Sequence, residues 1–341
     1  MLLRTQHLDA TDPKDKIFAV HGLLSQLGAH LPDPDYSKSI QLVYQEAATV
    51  AINHDNRLHI LASLTGESGI EGLPSWVPDW SCNRPISEIA SWDDYNVKRA
   101  TKPWFKFSAD GKRLKLWGAE VDKIEEHSIP FVARYNFHDV VGHGYPIREI
   151  RILQRWFERL EEDPHPTSLV EFFSGLSEKP WTRMKSQFNL STDVLSKYWI
   201  KAIKRFKKDG WTYNGARYID ADLRWRATES AMNDGMKEKH VRGDITPFHD
   251  LMRTLLDRKV MFVTKRGHLG IASQAIQDDD RIVFFRGVSL PMVVRQVKSK
   301  WRLVAPAYIH NGMEDISNSE TILNKLQALL VTDQVQKFDI V

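Results

Sequence analysis

His138, Asp139 and His143 could supply three metal ligands. Two imidazoles and a carboxylate suit zinc chemically, but His-x4-His with an adjacent Asp is not a zinc spacing, and Gly142 and Gly144 predict a loop. The reading adopted is an exposed loop with incidental imidazoles, and no metal ligand is assigned. The same glycines open a G-x-G, yet Ile147 stands where the third glycine of a dinucleotide fingerprint belongs. A phosphate-loop lysine motif, H-E-x-x-H and the nucleophile elbow G-x-S-x-G are all missing, so three common enzyme classes lose their support and no cofactor is expected. Cys82 is the single cysteine, which rules out an internal disulfide and any multi-cysteine zinc site. No His or Lys stands beside it to activate a thiolate, so it reads as a small, partly buried apolar residue. Asp79, held between Pro78 and Trp80, has the chemistry of a cleft acid. The preferred role is acceptance of backbone N–H bonds that lock an extended loop. No catalytic residue is assigned.

Binding chemistry is suggested more strongly. From Asp193 to Lys208, Leu195, Trp199, Ile203 and Phe206 fall near one helical face, while Lys197, Lys201, Lys204, Arg205, Lys207 and Lys208 crowd the rest. Such a helix can touch acidic lipid, RNA or a partner helix, but the ordinary reading is a helix with its Trp side in the core and its lysines solvated. Trp211, Tyr213 and Tyr218 offer rings for base stacking, yet no RNA-binding signature accompanies them, and core or loop packing is preferred. The net charge of +3 is a small difference between 47 basic and 44 acidic residues, so no global field recommends nucleic acid. Met1 to Asp15 holds no apolar signal region, and no uncharged run approaches the roughly 18 residues of a membrane span. With its lone cysteine, the chain is expected to be cytoplasmic, with no transmembrane segment.

The elements that must position these residues can be read from periodicity. At 341 residues, 42% of them apolar and 27% charged, the chain is globular in composition and long enough for two or three domains. Asp12-Pro13-Lys14-Asp15 precedes Ile17, Val20, Leu23 and Leu24, which predicts a short capped helix. Helical spacing returns from Ser39 to Ile52, and a third short helix is expected over Leu58 to Leu64. Leu73-Pro74-Ser75-Trp76-Val77-Pro78-Asp79-Trp80-Ser81 is neither helix interior nor central strand; it must run extended with its indoles pressed on apolar surface. Alternation on both sides of Asp110-Gly111 predicts a hairpin over 104 to 124, and short strands recur between 259 and 309. A lone hairpin is marginal in water, so it should pair with that later sheet. The expected fold is α+β: a helical segment with a Pro/Trp clamp loop over 1–100, and a small antiparallel β-barrel or rolled sheet from 101–125 and 258–312. A mainly helical insertion fills 126–257, and a C-terminal helix or tail fills 313–341.

These stretches, taken in order, carry a resemblance. Asp12-Pro13-Lys14-Asp15-Lys16-Ile17-Phe18-Ala19, Asp35-Tyr36-Ser37-Lys38 and the Pro74-to-Trp80 peptide look like the region downstream of the fungal heterokaryon-incompatibility (HET) domain. Thr264-Lys265-Arg266-Gly267-His268-Leu269-Gly270, Arg281 to Gly287, Pro291 to Arg295 and Tyr308-Ile309-His310 are similar to the C-terminal sheet of the same proteins. Asp12, Pro13, Asp15, Tyr36, Pro74, Trp76, Pro78, Asp79, Trp80, Gly267, Gly270, Gly287 and Pro291 form the structural motif. The chain departs from the family at Ala272-Ser273, Asp279-Asp280 and Met313-Glu314-Asp315, where a Gly-Pro, a Gly-Asp and a Met-x-Gly-Glu are usual. The family's Ser-Tyr-x-Trp-Gly and Cys-Ile-Asn-Gln motifs do not occur. The resemblance implies a truncated protein, the C-terminal half alone, without the Toll/interleukin-receptor-like HET domain that acts as the cell-death effector. It implies an accessory recognition region in fungal non-self recognition and programmed cell death, with a protein partner. An enzyme with a cleft between insertion and sheet, or a basic-helix binder of membrane or nucleic acid, remains the alternative.

Overall fold

A computed structural model describes residues 9–82, 102–131, 257–288, 290–309 and 335–341. The metal-like group at His138, the expected helices between 150 and 256 and the basic segment 193–208 lie outside the described residues. The chain divides into two compact units, one formed by Met1–His127 with Met261–Val341, the other by Ser128–Val260. In the second unit, Phe131 bridges Lys259 in antiparallel fashion, and the Arg258 N–H donates to the Phe131 carbonyl at 2.7 Å.

The first unit opens with helices α1 (Asp15–Phe18) and α2 (His21–Gln26), followed by α3 (Ile40–Asp55) and a 3-10 helix over His59–Ser63. The single helix expected over 16 to 24 is thus two pieces. Val20, at φ −102° and ψ 1°, leaves the helical basin between them. The kink lets Ile17 and Leu24 both reach the core while Leu23 stays 47% exposed. In α3 the Ser39 hydroxyl caps the start by accepting the Leu42 N–H at 3.3 Å, and Asn56 ends the helix in the left-handed region. Its buried stripe is Val43, Tyr44, Ala47, Ala48 and Ile52, one face at helical spacing.

Among the described residues the strands form one eight-stranded sheet: β1 (Phe105–Phe107), β2 (Leu114–His127), β3 (Lys259–Thr264), β4 (Leu269–Ser273), β5 (Arg281–Phe285), β6 (Met292–Val297), β7 (Lys300–Ile309) and β8 (Gln336–Ile340). The hairpin and the later strands are therefore parts of a single sheet, as the shortness of an isolated hairpin requires. β2, at 14 residues, is its spine. Leu114 and Leu116 pair with β1 and with β8, so those two strands must lie on opposite edges of β2. Gly118 pairs with both β5 and β8, which puts β5 on the β1 edge, and Ile124 bonds toward both β5 and β3, which puts β3 on the β8 edge. The path β2-β3-β4-β7-β6-β5 then returns to β2 through the β2–β5 pairing, curling the antiparallel sheet into a partial ring. A bulge between Glu120 and Asp122 adds a residue to β2 where β5 meets it.

The segment 313–341, expected as helix or tail, ends in strand β8. Phe338 and Ile340 alternate inward with 1% and 0% exposure, a pattern too short to register as a strand in sequence alone. Both join Tyr44, Trp76, Leu114 and Phe285 in the core that the helices share with the sheet.

Candidate functional site

The Pro/Trp peptide is irregular and densely hydrogen-bonded to the elements around it. Its Ser75 N–H donates to the Val341 carbonyl at 3.0 Å, the Ser75 hydroxyl donates to the same oxygen, and that hydroxyl accepts the Leu303 N–H at 3.0 Å. One serine thus ties the loop to β7 and to the residue after β8. Pro74 closes a turn by accepting the Val77 N–H at 2.9 Å, and Pro78 is buried. Trp76 is 0% exposed, packs on Phe107 at 5.4 Å and donates its indole N–H to the Lys112 carbonyl at 3.2 Å. Trp80 is 1% exposed and meets Tyr44 edge-on at 5.1 Å. Its indole nitrogen is buried and has no hydrogen-bond partner among the described residues.

Asp79 sits between these anchors as an acceptor. It takes hydrogen bonds from the Ser68 hydroxyl at 2.8 Å, the Gly69 N–H at 3.1 Å, the Ser81 N–H at 3.0 Å and the Ser81 hydroxyl. Partial burial pushes its carboxyl up, but the Ser81, Ser68 and Cys82 hydrogen bonds outweigh burial and hold it below the ordinary carboxylate range. An acid so held is ionised at neutral pH and has no proton to give, so its geometry is that of a loop lock and not of a general acid.

The two N-terminal motif stretches meet. The Asp12 carboxylate accepts the Lys14 N–H at 2.9 Å, and the Pro13 carbonyl accepts the Tyr44 hydroxyl at 2.7 Å. Burial raises the Tyr44 phenol above its ordinary value. The Tyr36 hydroxyl donates to Asp15, and that bond raises the Tyr36 phenol too. Lys14 Nζ returns to the Tyr36 carbonyl at 2.8 Å, and the Tyr36 ring meets Phe18 edge-on at 5.0 Å.

In the sheet, Gly267 turns between β3 and β4 at φ +85°. Gly270 has no room for a side chain, because a Cβ there would enter the Phe262 ring and stand 2.5 Å from the Tyr308 carbonyl. Gly287 combines φ +82° with close approach to Pro103, and the Pro291 carbonyl accepts the Ala307 N–H at 2.9 Å. Asp280, 3% exposed, binds Arg295 through two nitrogens at 2.8 Å each and accepts the Gln277 N–H at 2.8 Å. The motif residues therefore form three separate structural nodes: helix entry, loop lock and sheet turns.

Sequence reasoning missed a fourth node, on the outer face of β2. Trp104 stacks on Trp117 at 5.0 Å and 7°, and the Arg286 guanidinium lies 5.1 Å over the Trp104 ring. The hairpin register carries the signal. Phe105 opposite Leu116 places Trp104 opposite Trp117, two residues equally distant from the Asp-Gly turn. Among the described residues no group of three His, Cys, Asp or Glu could hold a metal, and no helix is long and apolar enough to cross a membrane.

The architecture is α+β, an antiparallel sheet curled into a partial ring and covered on one side by short N-terminal helices. Residues 171–321 match the family model of the Het-6 beta-barrel domain, so that stretch is similar to a domain of the heterokaryon-incompatibility proteins. The match takes in β3 to β7, whereas β1, β2 and β8 lie outside it and yet complete the same sheet. No curated protein and no solved structure matches the chain.

Proposed function

We propose that this chain is an accessory, non-catalytic recognition region of the heterokaryon-incompatibility system: a cytoplasmic fungal module that senses a protein partner and restrains or releases a HET-type death effector. The Het-6 beta-barrel match over 171–321 carries this reading. The partial ring is taken as the small β-barrel of that domain, with β1, β2 and β8 as accessory strands that close it. The acidic residues singled out in sequence support a binding role over chemistry, since Asp12, Asp15 and Asp79 are each engaged as acceptors in local structure. Expression of the chain in a fungal host, alone and together with a separately encoded HET effector domain, tests the proposal. Alone it should leave viability and the NAD pool unchanged; with the effector it should shift the death response in either direction. Killing by the chain alone, or an effector response indifferent to it, would refute the reading.

A further inference from the structure

The outer face of β2 gathers cations around the stacked indoles. Lys106 stands directly opposite Lys115 across β1–β2, and Lys337 stands directly opposite Trp117 across β2–β8. Arg286 joins from the β5 edge, its N–H bonded to the Trp117 carbonyl at 2.8 Å. Like charges placed opposite one another weaken a sheet, so the Lys106–Lys115 pair is a cost that the fold itself does not explain. The carboxylate opposite Lys115, Asp339, binds Arg113 through Oδ2 at 3.0 Å, and its Oδ1 is buried without a hydrogen-bond partner among the described residues. None of Lys106, Lys115, Lys337 and Arg286 forms an ion pair among the described residues, and Nε of Arg286 is buried without a hydrogen-bond partner. Trp104 remains 43% exposed in the middle of them.

We infer that this face is a docking surface for an acidic segment of a protein partner, its carboxylates meeting Lys106, Lys115, Lys337 and Arg286 while an apolar side chain packs beside Trp104. The inference rests on the recognition reading above and gives it a place. Charge complementarity selects an anionic partner. Peptide is favoured over nucleic acid because base stacking needs an open ring face, and the Trp104 ring already engages Trp117 and Arg286.

Fluorescence anisotropy of the whole chain with a labelled Glu-Phe-Glu-Phe-Glu peptide tests the inference, with the Lys-for-Glu peptide and a single-stranded oligothymidylate alongside. The acidic peptide should bind saturably and more tightly than either control. Its affinity should fall as salt shortens the screening length from about 10 Å at 0.1 M to about 3 Å at 1 M. Trp104→Ala should weaken it by about fivefold or more, the loss expected of a central anchor. The double change Lys106→Gln with Lys337→Gln, at two exposed positions that leave the core untouched, should weaken it as well. Lys201→Gln with Lys204→Gln, far away in sequence, should not. Absence of acidic-peptide binding, equal binding by the Lys106/Lys337 variant, or tighter binding of oligothymidylate would each overturn the docking surface. Those results leave the recognition reading standing, because the effector co-expression experiment decides it independently.

Discussion

At the residue scale, the acidic and aromatic side chains of the clamp loop are spent on structure. Asp79 accepts hydrogen bonds from Ser68, Gly69, Ser81 and Cys82, and together they lower its pKa below the ordinary 3.8 despite burial. A carboxyl with a depressed folded-state pKa stabilises the fold fully above its unfolded value, and that contribution is lost as pH falls through the folded value. Wild-type protein should therefore lose more melting temperature between pH 5 and pH 3 than Asp79→Asn does, in a thermal series at fixed ionic strength. At neutral pH, Asp79→Ala should cost about 1 to 3 kcal/mol in denaturant unfolding, the penalty for donors left without their acceptor. Trp76 is the stronger anchor, with full burial and an indole hydrogen bond to Lys112. Trp76→Ala should cost about 3 to 5 kcal/mol, read as a shift of the urea midpoint or as loss of soluble protein.

At the element scale, the glycines and the last strand set the limits of tolerance. Gly270→Ala must push a Cβ into the Phe262 ring and toward the Tyr308 carbonyl, so it should destabilise by about 1 to 3 kcal/mol. Gly267→Ala meets no neighbour and should cost less, paying only for the left-handed backbone at φ +85°. Chemical denaturation of the pair separates crowding from backbone strain. The elements themselves were largely legible. Alternation around Asp110-Gly111 located the hairpin, and Pro spacing with two indoles marked the extended clamp and its need for burial. What escaped were features that local pattern does not encode. The Val20 break looks like continuous helical spacing, and β8 is five residues with two inward side chains, too brief to separate from a tail. The Trp104–Trp117–Arg286 node depends on strand register, and Arg286 reaches it from a strand distant in sequence.

At the scale of the whole molecule, the ring closure was the least visible feature, because the β2–β5 and β2–β3 pairings join segments more than a hundred residues apart. The same closure means that the stretch matching the Het-6 beta-barrel domain is not self-sufficient. Without β2 both β3 and β5 lose a partner, and open strand edges invite association. A fragment of residues 171–321 should therefore be insoluble or oligomeric by size-exclusion chromatography, where the whole chain stays folded. The proposed recognition role rests on the same organisation: strands before and after the matched stretch complete a sheet whose outer face carries, among the described residues, cations without ion pairs and an exposed indole. The most direct test of that account is NAD turnover by the purified whole chain at micromolar protein. A recognition region predicts a rate indistinguishable from buffer; sustained, enzyme-proportional NAD consumption would contradict it.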